Sequence, residues 1–228
     1  MNQDTFYQIA TWMVPLIIAI VFHEVAHGLV ARRLGDPTAA QLGRLTLNPI
    51  RHVDPFGTVI LPMLLALAHA PIFGWAKPVP VNYQRLRNPR RDMVLVALAG
   101  PGMNLLLAVI GTAIVGVTVW MAAGELSPTT TFIARNAANF VLINIFLAIF
   151  NLIPLPPFDG GHVVEGLLPA GAALKFRSIG RYSLLVFVFL LLILPMISPS
   201  ADIVRRVVSP IVDGLAAWLL GMAGVSLR

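Results

Sequence analysis

From Met93 to about Ala123 the sequence holds no charged side chain, and the run exceeds the roughly 20 residues that carry a helix across a bilayer. Runs from about Thr5 to Leu34, about Phe132 to Ile153 and about Ile179 to Ile197 are predominantly apolar and of similar reach. Charged residues make up 11% of the 228, against about 25% in a soluble domain, so a soluble enzyme is excluded. The expected fold class is an all-α polytopic membrane protein, a helical bundle of about 4–6 transmembrane segments. A single membrane-embedded domain over 1–228 is expected, with its motifs in about 10–170 and C-terminal helices over about 178–224. The leading "MNQDTFYQIA" lacks a basic leader and a cleavage site, so the first run is expected to remain as a span.

The net charge of +6 reads as topology and not as nucleic-acid binding, because basic residues collect in cytoplasmic loops. That rule bears on "FGTVILPMLLALAHA" (56–70), which is short and interrupted by Pro62. Residues 31–55 carry four arginines and residues 71–92 carry five basic residues. A crossing at 56–70 would put one cluster outside, whereas a segment that dips in and returns keeps both inside and leaves 124–132 outside. The re-entrant arrangement is therefore expected. The proline-rich stretch that follows, with "VPVN" at 79–82, reads as a short extended, β-like segment. For 203–224 the sequence leaves open a span or a helix lying in the interface.

With no cysteine in the chain, a metal site must use His, Asp or Glu. "VFHEVAHGLV" (21–30) supplies such groups inside a membrane-length segment. On a helix His23 and His27 share one face, a turn apart, which lets two imidazoles hold one ion while Glu24 reaches a water beside it. Such an ion brings the pKa of its water to about 7, and a neighbouring carboxylate can take the proton as the water attacks a carbonyl. Three ionisable groups within one turn of a span are costly unless paired or bound. That cost argues against ordinary buried polar residues.

A catalytic zinc usually has three protein ligands. The best further acid is Asp159 in "NLIPLPPFDGGH" (151–162), just past a proline break where irregular backbone must face protein or a cavity. His162, three residues on, is a candidate for a partner to a ligand or an additional ligand, against an ordinary histidine with no part in the site. His52 reads as solvated in a basic loop, and His69 as an interfacial anchor. Trp75, Trp120 and Trp218 read as interfacial aromatics. His23 and His27 lie near the end of the first span and Asp159 just after the 132–153 span. They meet at one depth only if those two spans run parallel, which again requires that 56–70 not cross.

"FHEVAHG" (22–28), "AGPGMN" (99–104) and "NLIPLPPFDGGH" (151–162), in this order on separate spans, resemble the site-2 protease family, zinc metalloproteases that cut within the membrane. The resemblance covers about residues 10–170, including "FGWAKPVPVN" (73–82) of the compact members. It implies one Zn2+ held by His23, His27 and Asp159, with Glu24 activating water. It implies that Asn151 hydrogen-bonds the scissile carbonyl or its oxyanion, against a plain helix-end cap; Asn104 would support core packing. By the same resemblance 79–82 forms an edge strand holding an unwound substrate. The implied partners are a transmembrane protein or peptide substrate and the lipid bilayer of a prokaryotic cell membrane. The compact form is expected, without a PDZ-like insert between spans or a C-terminal nucleotide-sensing domain. An inactive scaffold or a metal transporter is the alternative function.

Overall fold

The computed structural model describes residues 3–67, 74–122 and 127–225. Ten α-helices follow one another among these: α1 (Gln3–Arg33), α2 (Thr38–Gln41), α3 (Leu61–Leu67), α4 (Pro89–Met121), α5 (Pro128–Asn151), α6 (Asp159–Leu167), α7 (Ala170–Ile179), α8 (Ser183–Val188), α9 (Leu194–Ile197) and α10 (Ser209–Met222). Three are long and apolar enough to cross a membrane: Thr11–Arg33 of α1, α4 and α5. Both α4 and α5 open with proline at the first helical position, where its missing N–H costs nothing. Ser127 caps α5 by accepting from the Thr130 N–H.

Side-chain pairs fix the directions of the long helices. Going up α1, Tyr7 meets the Phe132 ring, Thr11 O accepts from Asn139 and His23 and His27 face Asp159. Partner numbers rise together, so α1 and α5 run parallel. Against α4 the numbers run the other way: Ala19 O accepts from Asn104, and His27 donates to Val96 O. Helix α4 is therefore antiparallel to both and packs against each, while α1 and α5 also touch directly.

The apolar core lies among α4, α5 and α10, where Ala108, Val115, Val141, Ile145, Val212 and Leu220 are buried. One face of 203–224 thus packs into the bundle and does not lie apart from it. The expected run 179–197 is segmented: a π-helical stretch, Phe189–Ile193, separates α8 from α9, and Pro195 sits in α9's first turn. Residues Pro55–Ile60 are likewise π-helical, capped by Asp54, before α3 begins.

Backbone hydrogen bonds tie the ends of the 34–87 region together. Arg87 N–H donates to Leu34 O at 3.0 Å, and Lys77 N–H donates to His52 O at 2.8 Å. The chain therefore leaves and returns at one level between 53 and 76. Residues 68–73, including His69, and 123–126 of the predicted outer loop lie outside the described residues. Two expectations are corrected. There is no strand among the described residues, so 79–82 is extended without a ladder; Pro78 and Pro80 have no N–H to give one. His52 is buried and not solvated, its Nε2 2.9 Å from Thr46 O, because the proline-rich stretch packs back over it through Lys77.

Candidate metal centre

Two elements bring the ligand candidates together. One turn of α1 presents His23 and His27, both buried, and α6 begins on Asp159, whose carboxylate enters from the first turn. The two Nε2 atoms lie 3.0 Å apart, and Asp159 Oδ2 stands 3.2 Å from one and 3.3 Å from the other. Among the described residues these three side chains form the group placed to hold one ion.

Hydrogen bonds to the far ring nitrogens decide what faces the centre. His23 Nδ1 donates to Asn104 Oδ1 at 2.5 Å, and His27 Nδ1 donates to Val96 O at 2.7 Å. Asn104 in turn donates to Asn144 Oδ1 at 2.8 Å, and Asn144 donates to Phe140 O at 2.8 Å. Each step of the relay is satisfied in one direction only, so Asn104 presents oxygen to His23. With hydrogen on both Nδ1 atoms, both Nε2 atoms carry lone pairs. Asp159 Oδ2 is buried and has no hydrogen-bond partner. Three lone-pair atoms at such separations repel one another unless a cation or added protons lie among them.

The spacing suits zinc. Four ligands placed tetrahedrally at zinc's usual bond lengths of about 2.0–2.1 Å stand about 3.3–3.4 Å apart, close to the separations found. The far-nitrogen bonds are also the kind that orient metal-binding histidines. The residues present therefore fit a zinc ion with one position left for another ligand.

Glycines allow the approach. A Cβ on Gly100 would overlap both imidazoles, so only glycine lets the α4 backbone pass that close. A Cβ on Gly160 would overlap the carbonyl oxygens of Leu152 and Ile153, so this glycine lets α6 begin hard against the end of the α5 loop. On the other side of α1 a Cβ on Gly28 would overlap Leu45 and press on Val79, which holds the 74–82 stretch against the helix. That contact brings a backbone donor to Glu24: Val79 N–H donates to Glu24 Oε2 at 2.7 Å.

The other predicted positions fall differently. Asn151 donates from its amide to Leu147 O at 2.9 Å, one turn back in its own helix, which leaves one of its two N–H donors uncommitted by that bond. His162 is exposed and does not join the three-residue group. The relay through Asn104 and Asn144 and the Val79 contact were not anticipated. Asn144 carried a signal, being an amide in an apolar run, where polar side chains usually have a dedicated partner. Val79 carried none, because its contribution is a backbone N–H.

A buried histidine–carboxylate group with an adjoining glutamate, set among helices of membrane-spanning length, defines a membrane-embedded protein with a candidate metal centre. The chain belongs to peptidase family M50, whose family model matches residues 11–139 and 121–194. Among curated relatives, "Putative zinc metalloprotease YwhC" of Bacillus subtilis (strain 168) is 37% identical over 210 residues, 89% of this chain and 93% of the relative. "Putative zinc metalloprotease Rip2" of Mycobacterium tuberculosis (strain ATCC 25618 / H37Rv) is 30% identical over 223 residues, 96% of this chain and 75% of the relative. No solved structure matches the chain.

Proposed function

We propose that this protein is an intramembrane zinc metalloprotease, a single-domain enzyme that hydrolyses peptide bonds within or beside transmembrane segments of membrane proteins. The observation that carries the reading is the convergence of three lone-pair donors, His23, His27 and Asp159, with glutamate adjoining on α1. Those three hold the zinc. Bound there, zinc supplies Lewis acidity toward a peptide carbonyl and acidifies water.

The chain's own groups do the rest. Glu24 takes the proton of the attacking water and passes it to the leaving amine. The Val79 N–H holds that carboxylate in position at 2.7 Å. Asn151 turns its remaining amide hydrogen toward the developing oxyanion, a donation of the kind worth a few kcal/mol. A substrate helix must unwind first, because helical carbonyls are already hydrogen-bonded; the extended 74–82 stretch, edged by Pro78 and Pro80, receives it. Residues 55–67 enter the membrane without crossing it, which keeps both basic clusters on the cytoplasmic side. The 183–197 segment lies in the membrane beside the three long spans.

Zinc content and cleavage of a single-span substrate, measured side by side on detergent-purified protein, test this. About one zinc per chain is expected in the wild type, lost in His23→Ala and Asp159→Ala. Glu24→Gln should retain the zinc and lose cleavage. Zinc unaffected by Asp159→Ala removes the third ligand, and cleavage by Glu24→Gln removes the base.

A further inference from the structure

A second site lies where α6 and α7 meet the start of α4. A cavity of about 240 Å³ opens there, lined by none of the three residues of the candidate metal centre. Arg90 and Arg177 face it, with Tyr83 and His162 beside them and Met93 and Leu174 forming apolar wall.

Both guanidiniums are held in place. Arg90 Nε donates to Gly166 O at 3.0 Å, so its two terminal nitrogens are not used by that bond. Arg177 Nε donates to Glu165 Oε1 at 2.7 Å, its Nη2 pairs with the same oxygen, and its Cζ lies 5.7 Å from the Tyr83 ring centre. Two arginines against one glutamate leave a net positive charge in the cavity. The terminal N–H groups of Arg90 match the oxygens of a phosphate, Arg177 adds positive charge beside them, and holding both side chains in advance reduces the entropy lost on binding. Exposed Lys175 and Arg181 lie near in sequence and add to the basic character of this end of the molecule.

The wall chemistry narrows the ligand. Methionine and leucine beside paired arginines suit a group with both an anionic head and a hydrocarbon body. Helix α7 leads through Gly180–Tyr182 straight into the apolar 183–197 segment, which sets the cavity where basic surface gives way to membrane-compatible helix. Basic pockets between membrane helices on the cytoplasmic side are a recognised headgroup geometry. We propose that this cavity binds the phosphate headgroup of an anionic phospholipid. The bound lipid clamps α6, the helix that begins with Asp159, against α4 and α7. The inference stands apart from the proteolytic reading and does not depend on it.

The test uses the full-length protein in detergent, titrated separately with short-chain phosphatidylglycerol, short-chain phosphatidylcholine and inorganic phosphate. Retained lipid is read by native mass spectrometry, and the thermal unfolding midpoint is read alongside. Phosphatidylglycerol should be retained and raise the midpoint, while the other two at equal concentration should not. Arg90→Gln and Arg177→Gln should each weaken phosphatidylglycerol binding about tenfold, the loss expected for one charge-assisted contact. Arg91→Gln, outside the cavity, should leave it unchanged. Equal retention of the two lipids by wild-type protein overturns the proposal without recourse to any variant. So does phosphatidylglycerol binding that survives both cavity substitutions in protein of unchanged helicity. Stabilisation by inorganic phosphate as strong as by phosphatidylglycerol overturns the lipid assignment in favour of a soluble anion.

Discussion

At the scale of single residues, the centre depends on which ring nitrogen carries hydrogen, and that is set by Asn104. Its Oδ1 accepts from His23 Nδ1, and its own amide is anchored to Asn144 and Ala19 O. Asn104→Leu keeps much of the volume and removes the acceptor, so His23 loses the bond that turns its Nε2 lone pair inward. Zinc affinity, measured by competition with a chromogenic chelator, should fall 10–100-fold, the usual cost of removing such a partner. Asn139→Leu is the control. That amide is also buried, in α5, and donates to Thr11 O at 2.9 Å. It should lower the unfolding midpoint and leave zinc affinity alone. Equal zinc affinity in Asn104→Leu and wild type would show that the relay is merely packing.

At the scale of elements, the 74–82 stretch has no regular structure of its own and is held by contacts from its neighbours. Asp36, buried in the turn after α1, accepts from Asn82 N–H at 2.6 Å and from Thr38 N–H at 3.0 Å. Burial would raise its pKa, but the Thr38 hydroxyl, the Asn82 and Thr38 N–H groups and nearby Arg85 outweigh that and hold it below the ordinary carboxylate value. A carboxylate lowered on folding stabilises the native state fully above its unfolded pKa of about 3.9, and the contribution is lost as pH falls through the folded pKa. Wild-type protein should therefore lose stability in that acid range. Asp36→Asn should be about 1–3 kcal/mol less stable at neutral pH and show a weaker acid dependence, by unfolding in detergent across pH. An unchanged acid limb in Asp36→Asn would remove Asp36 as its source. The long helices were legible in sequence because an apolar run of spanning length has few alternatives, and α1, α4 and α5 fall within a few residues of expectation. The convergence of His23, His27 and Asp159 was legible too, since parallel spans follow from where the polar groups interrupt them. What stayed hidden was carried by backbone groups and by partners distant in sequence. Val79 N–H on Glu24 and Lys77 N–H on His52 O leave no mark on residue type. The π-helical turn that divides 183–197 is a backbone choice that hydropathy does not report.

At the scale of the whole molecule, parallel α1 and α5 with α4 antiparallel to both demand that 34–88 make no net crossing. The Arg87–Leu34 and Lys77–His52 hydrogen bonds satisfy that demand locally, since each joins the outgoing chain to the returning one. The absence of native cysteine makes the topology directly measurable. Arg51→Cys and Arg87→Cys, both at exposed positions flanking the excursion, should react with a membrane-impermeant maleimide from the same face of sealed vesicles. Thr129→Cys, exposed at the start of α5, should react only from the opposite face. Both basic-rich segments, 31–55 and 71–92, would then share the cytoplasmic side, as the positive-inside tendency requires, and the centre would sit toward that side. Labelling of Arg51→Cys and Arg87→Cys from opposite faces would mean that 55–67 crosses the bilayer. A chain threaded that way would place the ends of α1 and α5 on opposite sides, and His23 and His27 could not share an ion with Asp159. The same labelling therefore tests the membrane topology and the composition of the metal centre together.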